Sequence, residues 1–151
     1  MKTIRHSASF DISQSIDQLF PLFSPEGETK WVPGWEYTNV MGTTKLSEDY
    51  VFITGHHDHK ANDAIWIVKR YDLRKHHVQF YKIEPGDKVG IVTVDCTELP
   101  LNHTRVEVGY EYIALGESGE TFIAEFTQEV YDEFIDEWKT LLTRYFKQHT
   151  L

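Results

Sequence analysis

The amino-acid sequence predicts an α+β protein in which a curved antiparallel sheet of about seven strands wraps around one long C-terminal helix, with two short helices after strand 1. Three observations predict this fold. Apolar and polar side chains alternate near the N-terminus, residues 35–115 form a series of strand-like segments separated by short turns, and residues 120–148 carry apolar side chains at helical spacing. A sheet and a helix that each have one apolar face are expected to cover each other.

The first strand is followed by two helix signals. The period-two alternation over residues 4–12 is typical of a half-buried strand. Ser15, with Gln18 three residues later, forms a capping box that opens a short helix. Ser24, followed by Pro25, predicts the start of a second one.

The middle of the sequence predicts a meander, because its turns are too short for the crossover connections that parallel strands need. No helical pattern interrupts the series. The predicted strands cover residues 35–41, 50–54, 64–71, 77–83, 89–98 and 104–115.

The C-terminal segment predicts one amphipathic helix over residues 120–148, about 43 Å long at 1.5 Å per residue. Its apolar residues are spaced by three and four, and we expect this stripe to face the sheet. The stripe consists of Ile123, Phe126, Val130, Phe134, Trp138, Leu141 and Tyr145.

Length and charge restrict the classes of protein. A chain of 151 residues without linkers or repeats predicts a single domain over residues 1–151. A net charge of −9 argues against binding to nucleic acid and to anionic membranes. No apolar stretch is long enough to insert into a bilayer, and the N-terminus lacks the pattern of a signal peptide. We therefore expect a cytoplasmic protein. Its expected oligomeric state is a monomer or a homodimer.

The order of elements resembles the START/Bet v 1-like (SRPBCC) superfamily, whose architecture is the helix-grip fold, and within it the polyketide cyclase/dehydrase-like bacterial members. The resemblance rests on the segments FPLFSPEGE (20–28), WVPGWE (31–36), IWIVKRYD (65–72) and EFTQE (125–129). It implies a ligand cavity between the sheet and the C-terminal helix. It implies no catalytic residue, because the superfamily shares none.

The candidate ligand-binding residues are mainly strand and helix aromatics that could line such a cavity and stack on a flat ligand. The alternative is that these rings simply fill the interior. The sequence does not show which face of residues 64–71 or of residues 77–83 points inward, since both faces carry apolar side chains. The candidates are Trp35, Tyr37, Phe52, Trp66, Arg70, Tyr81, Tyr110, Tyr112, Phe126, Val130 and Phe134.

One cation is expected inside the protein. Lys69 and Arg70 are consecutive on a predicted strand rich in Ile, Trp and Val, so one of them should point inward. An inward cation needs a partner, and a ligand carboxylate or enolate could supply it.

Other reactive residue types favour no site. His57 and His59 flank Asp58 in a segment predicted to be a solvated hairpin loop, so we predict no functional metal site and no cofactor. Acidic side chains such as Glu111 alternate with apolar ones and are expected to point outward. Cys96 is expected to be a buried small side chain rather than a nucleophile.

The sequence therefore favours a protein that binds a small hydrophobic or aromatic molecule, such as a lipid-like compound, between the sheet and the C-terminal helix. The alternative is a cyclase/dehydrase-type enzyme acting on a polyketide-like or other aromatic substrate, and the sequence does not decide whether a reaction is catalysed. A protein-interaction module is a third, less favoured class.

Overall fold

The computed structural model of the chain describes residues 2–55 and 63–149. One antiparallel sheet has the strand order β1-β6-β5-β4-β3-β2. The strands are β1 (Thr3–Ile12), β2 (Val51–Thr54), β3 (Ala64–Asp72), β4 (His77–Glu84), β5 (Lys88–Leu99) and β6 (His103–Ala114). The helices are α1 (Ile16–Leu19), α2 (Pro25–Glu28), α3 (Glu117–Glu125) and α4 (Gln128–Gln148). The predicted α+β helix-grip architecture, with two short helices after the first strand, is confirmed.

The described part of the chain has six strands where the sequence suggested about seven. Residues 35–41 form no strand, and a single bridge between Thr38 and Ile53 joins this segment to the sheet. A side chain holds the segment elsewhere, because the Tyr37 hydroxyl donates a 2.6 Å hydrogen bond to Glu26 on α2. The segment therefore leans on α2 rather than extending the sheet.

The C-terminal helix is broken at Phe126 and Thr127, where the sequence predicted a continuous one. The Thr127 hydroxyl accepts a 3.2 Å hydrogen bond from the Val130 amide and so caps the start of α4. His6 Nε2 on β1 lies 2.6 Å from the Phe126 carbonyl oxygen, to which it donates because a carbonyl only accepts. At the break, a side chain thus caps the start of α4, and the Phe126 carbonyl oxygen accepts a hydrogen bond from the sheet.

The break changes which residues of α4 face the sheet. Val130 and Phe134, predicted to lie in the buried stripe, are 45% and 37% exposed. Trp138 is buried, as the predicted stripe requires. The correction has a physical cause: α4 starts anew at its Thr127 cap, so its phase does not continue from α3. The buried residues of α4 are Tyr131, Ile135, Trp138 and Leu142.

Two contacts fix α4 against the rest of the protein. The hydroxyl of the fully buried Tyr131 donates a hydrogen bond to the Val108 carbonyl oxygen on β6. The Trp138 ring meets Phe23 and Trp31, with centroids 5.9 and 5.6 Å away. The helix therefore closes over the inner face of the sheet and over the segment that follows α1.

Within the described residues, none of the helices combines the length and the apolar character that crossing a membrane would require.

Candidate ligand-binding site

A row of paired residues crosses the inner face of the sheet. Phe52 on β2 pairs with Trp66 on β3, Trp66 with Lys82 on β4, Lys82 with Gly90 on β5, and Gly90 with Tyr112 on β6. We call these five residues the Lys82 row. Directly paired residues point to the same face of a sheet, and Phe52, Trp66 and Tyr112 are buried. Lys82 therefore points into the interior.

Gly90 leaves a gap in the Lys82 row. A Cβ atom at this position would lie 2.9 Å from Cε1 of Tyr112 and 3.5 Å from Cβ of Lys82. A side chain here would have to displace the tyrosine ring. The Tyr112 ring therefore lies over this position in the row, next to Lys82.

Aromatic side chains form one cluster on the β2–β3 side of this gap. The Phe52 and Trp66 rings stack with centroids 5.4 Å apart, Trp35 meets Trp66 at 6.2 Å, and Tyr37 meets Phe52 at 6.0 Å. The indole nitrogen of Trp35 donates a 2.9 Å hydrogen bond to the Pro25 carbonyl oxygen, which fixes the ring against α2. These four predicted ligand-binding residues are thus brought together.

A second aromatic cluster lies on the β6 side. Tyr110 and Tyr112 have centroids 5.9 Å apart, and Phe126 approaches Tyr112 edge-on at 5.5 Å. Phe134 approaches Tyr110 in the same way at 5.5 Å, although it is partly exposed. Phe122, absent from the predicted set, also contacts Tyr112, at 5.0 Å. Eight of the nine predicted aromatics therefore form two groups of four, on either side of Lys82 and Gly90.

Two ionisable groups of this region, Lys82 and Glu28, interact electrostatically with each other. Lys82 Nζ lies 5.4 Å from the centroid of the Trp66 ring and has no ion-pair partner among the described residues. Burial lowers the pKa of Lys82, although the charges of Glu84 and Asp87 offset part of this effect. Burial raises the pKa of Glu28, at the end of α2, to about 8, and the positive charge of Lys82 opposes that rise.

Glu28 and Lys82 are surrounded by protein atoms, yet both side chains are only partly buried. Glu28 and Lys82 lie deep enough among protein atoms to be strongly desolvated, yet each keeps part of its surface accessible. A side chain that lines an internal space is surrounded by protein and still touches that space. The two residues therefore indicate an unfilled interior rather than a solid core.

The tyrosine hydroxyls support the same interpretation. Tyr110 and Tyr112 are buried residues, and neither hydroxyl makes a hydrogen bond within residues 2–55 and 63–149. In that part of the chain, Glu84 Oε2 is the one fully enclosed side-chain oxygen or nitrogen without a hydrogen bond. Both phenol oxygens must therefore reach accessible space. Burial raises the pKa of both hydroxyls, which keeps them protonated and able to donate.

A buried ion cluster closes one end of the interior. Lys88 Nζ lies 2.8 Å from Asp87 and 3.0 Å from Glu84, and its orientation toward Glu84 is that of an ion pair rather than an aligned hydrogen bond. Burial alone would lower the pKa of Lys88, but its contacts with Asp87 and Glu84 together raise it. Ser118 on α3 donates a 2.6 Å hydrogen bond to Asp87. Lys88 is thus a paired, structural cation.

Arg70 and Tyr81 do not line the interior, contrary to prediction. A β-bulge between Val68 and Arg70 places Lys69 and Arg70 on the outer face, so neither supplies the expected inward cation. Tyr81 lies on the outer face as well, where Lys69 Nζ sits 5.1 Å from its ring centroid. The inward cation is Lys82.

Val130 is 45% exposed because of the helix phase described above, and so is not a buried lining residue. Glu111 pairs with Arg5 at 2.9 Å on the outer face, as expected for an outward acid. Cys96 is buried, and burial raises the pKa of its thiol to about 12. The histidine-rich segment with His57 and His59 lies outside the described residues.

The sequence reasoning missed Glu28 and Lys82. For Lys82 a signal existed, since Val78, Phe80 and Lys82 share one parity and the first two are strongly apolar. Tyr81 and Ile83 on the other parity concealed it. Glu28 gave no such signal, because four-residue α2 is too short to define a face.

No group of three or more potential metal ligands occurs within residues 2–55 and 63–149.

The six-stranded antiparallel sheet, the paired short helices after β1 and the long C-terminal helix define the START/Bet v 1-like (SRPBCC) fold. Ara h 8.0201 has a similar structure, with a TM-score of 0.66 and 11% identity over 95% of each chain. Norcoclaurine synthase from Thalictrum flavum, solved with dopamine and hydroxybenzaldehyde, has a TM-score of 0.63 and 12% identity over 94% of this chain and 87% of its own. An uncharacterised protein from Bacillus thuringiensis has a TM-score of 0.60 and 18% identity over 95% of this chain and 99% of its own.

At these identities the comparisons show a shared fold. No protein-family model and no curated protein matches the chain.

Proposed function

We propose that this protein, as one domain over residues 1–151, binds a small hydrophobic or aromatic molecule in the space between the inner face of the sheet and the C-terminal helices. The observation that carries this proposal is the accessible surface of deeply placed Glu28 and Lys82 between two aromatic clusters. Pockets for small molecules are typically apolar with a few convergent polar groups, which matches this arrangement. A cytoplasmic location and a monomeric or homodimeric state remain predictions.

The comparisons support the proposal only at the level of the fold. One similar structure belongs to a synthase solved with two small aromatic molecules, dopamine and hydroxybenzaldehyde. A fold of this kind can therefore admit aromatic molecules.

A binding measurement tests the proposal. The neutral fluorophore 1-aminoanthracene should bind the purified protein saturably at about one molecule per chain and quench tryptophan emission, because Trp35 and Trp66 border the space. Native mass spectrometry of the same preparation should detect a co-purified small molecule. Absence of saturable binding by the folded protein would refute the proposal.

A matched pair of glycine variants locates the binding. Gly90→Val forces the Tyr112 ring out of its position on the inner face and should weaken binding by about tenfold or more. Gly109→Val places the same side chain on the outer face of neighbouring β6, where an added Cβ meets only ordinary contacts, and should leave affinity unchanged. Equal affinity for both variants would place the fluorophore elsewhere. Circular dichroism establishes that each variant is folded.

The second candidate function is a cyclase/dehydrase-type enzyme acting on a polyketide-like or other aromatic substrate. The raised pKa of Glu28 and the lowered pKa of Lys82 favour it, because opposite shifts of two groups in one cavity are typical of acid–base sites. A co-purified molecule that the protein converts to a second mass would support the enzyme. A molecule released unchanged would support the binding protein.

A further inference from the structure

Lys82 and Lys88 both point into the interior, but only Lys88 has ion-pair partners among the described residues. Lys88 is held by two carboxylates, at 2.8 and 3.0 Å. Lys82 has no ion-pair partner among the described residues and lies against an indole ring. Desolvation destabilises the unpaired ammonium of Lys82 relative to its neutral amine. A neutral amine is a nucleophile, which a paired ammonium is not.

The surrounding charges select the kind of ligand group. Glu84 and Asp87 lie within electrostatic reach of Lys82, and Lys88 alone balances them. One excess negative charge near the amine repels a ligand carboxylate. An uncharged, electrophilic group meets no such repulsion, and aldehydes and ketones are the carbonyl compounds that condense with amines.

Glu28 is the candidate proton donor. The carboxyl of Glu28 interacts electrostatically with both Lys82 and Tyr110. Burial raises the pKa of Glu28 to about 8, so this carboxyl is largely protonated near neutral pH. A protonated acid beside a neutral amine is the combination that the formation of an imine uses.

We propose that Lys82 forms a reversible imine with an aromatic or otherwise apolar aldehyde or ketone bound beside it on the inner face of the sheet, with Glu28 as the proton donor. This inference rests on the ligand-binding function proposed above. The Nζ lone pair attacks the carbonyl carbon, and the carbonyl oxygen takes a proton from Glu28. The nitrogen then returns a proton to Glu28, which protonates the hydroxyl of the carbinolamine so that it leaves as water. Loss of the second nitrogen proton to Glu28 completes the C=N bond and restores the acid.

Reductive trapping tests this inference. The protein is incubated with 2-naphthaldehyde and sodium cyanoborohydride near neutral pH, and its intact mass and its proteolytic peptides are then measured. We expect one predominant reduced adduct, located on Lys82 and suppressed by 1-aminoanthracene. In Lys82→Met that adduct should disappear while circular dichroism shows that the variant is folded.

Lys69→Met is the matched control, because Lys69 also lies over an aromatic ring, that of Tyr81, but on the outer face. Its adduct should form as in the unaltered protein. Glu28→Gln should slow the appearance of the adduct by about tenfold or more while Lys82 remains the labelled residue, as expected on removal of a proton donor.

The outcomes separate the two proposals. If 1-aminoanthracene binds but Lys82 is labelled no faster than the exposed lysines, the imine is refuted and ligand binding stands. If 2-naphthoate binds more tightly than 2-naphthaldehyde and this preference disappears in Lys82→Met, Lys82 is an ionic anchor and the imine is again refuted. If 1-aminoanthracene does not bind at all, the ligand-binding function itself fails. Peptide mapping of the unaltered protein decides the labelled residue even if a variant does not fold.

Discussion

Replacing Ile135 and Val130 by alanine measures which face of α4 the sheet buries. Ile135 is 1% exposed and Val130 is 45% exposed. Ile135→Ala removes three buried carbons at about 0.8 kcal/mol each and leaves a cavity that costs about 1 kcal/mol more. The higher helix propensity of alanine recovers about 0.4 kcal/mol, so the expected loss in the free energy of unfolding is about 3 kcal/mol.

Val130→Ala removes two carbons that are already about half in water, which costs about 0.9 kcal/mol, and helix propensity offsets about 0.5 kcal/mol of that. The expected loss is therefore below about 0.5 kcal/mol. Urea denaturation followed by circular dichroism measures both values, with equal m-values as the sign that the unfolded state is unchanged. Equal losses, or a larger one for Val130→Ala, would mean that the helix runs unbroken through Phe126 and Thr127 in the phase expected from the sequence.

Two further predictions concern the core and the site. Trp138→Ala should lower the free energy of unfolding by about 3–5 kcal/mol, because the ring packs on Phe23, Trp31 and Tyr110; a loss below about 1 kcal/mol in the same assay would contradict its buried position. The stability of the unaltered protein relative to Glu28→Gln should decrease as the pH rises from about 4.5 to about 8, because folded Glu28 keeps its proton to a pKa of about 8 whereas the unfolded residue loses it near 4.5. Denaturation at several pH values across this range measures the slope, and a difference that is flat or increases with pH would contradict the raised pKa.

The fold could be predicted from the sequence because its signals are local and repeated. Alternation defined β1, and short turns forced the antiparallel meander, both independently of tertiary contacts. The break at Thr127 could not be predicted from spacing, because Ile123, Phe126 and Val130 continue one helical stripe across it. What ends α3 there includes a hydrogen bond to Phe126 from His6, a residue 120 positions away in the chain.

The site was predictable only in part. The aromatic content of β2, β3 and β6 identified Phe52, Trp66 and Tyr112 as candidates, and the structure brings these into one row. The inward cation was assigned to the wrong strand because a β-bulge between Val68 and Arg70 reverses the alternation midway along β3. A bulge depends on the pairing between strands, which the composition of a single strand does not reveal.

The buried ion cluster on the β4–β5 turn also determines where a ligand can enter. Asp87 binds Lys88 and Ser118 through its side chain, and its backbone carbonyl lies so close to Gly119 on α3 that any side chain there would overlap it. The hairpin and α3 are therefore held together, and a molecule could pass between them only by breaking the hydrogen bond from Ser118 to Asp87. At the opposite rim, residues 35–41 join the backbone of the sheet through a single bridge, and Trp35 and Tyr37 pack on Trp66 and Phe52. A ligand that enters at that rim would displace these side-chain contacts rather than a ladder of strand hydrogen bonds. Replacing Gly119 by a larger residue should therefore push α3 away from the β4–β5 hairpin and open this end of the interior to solvent.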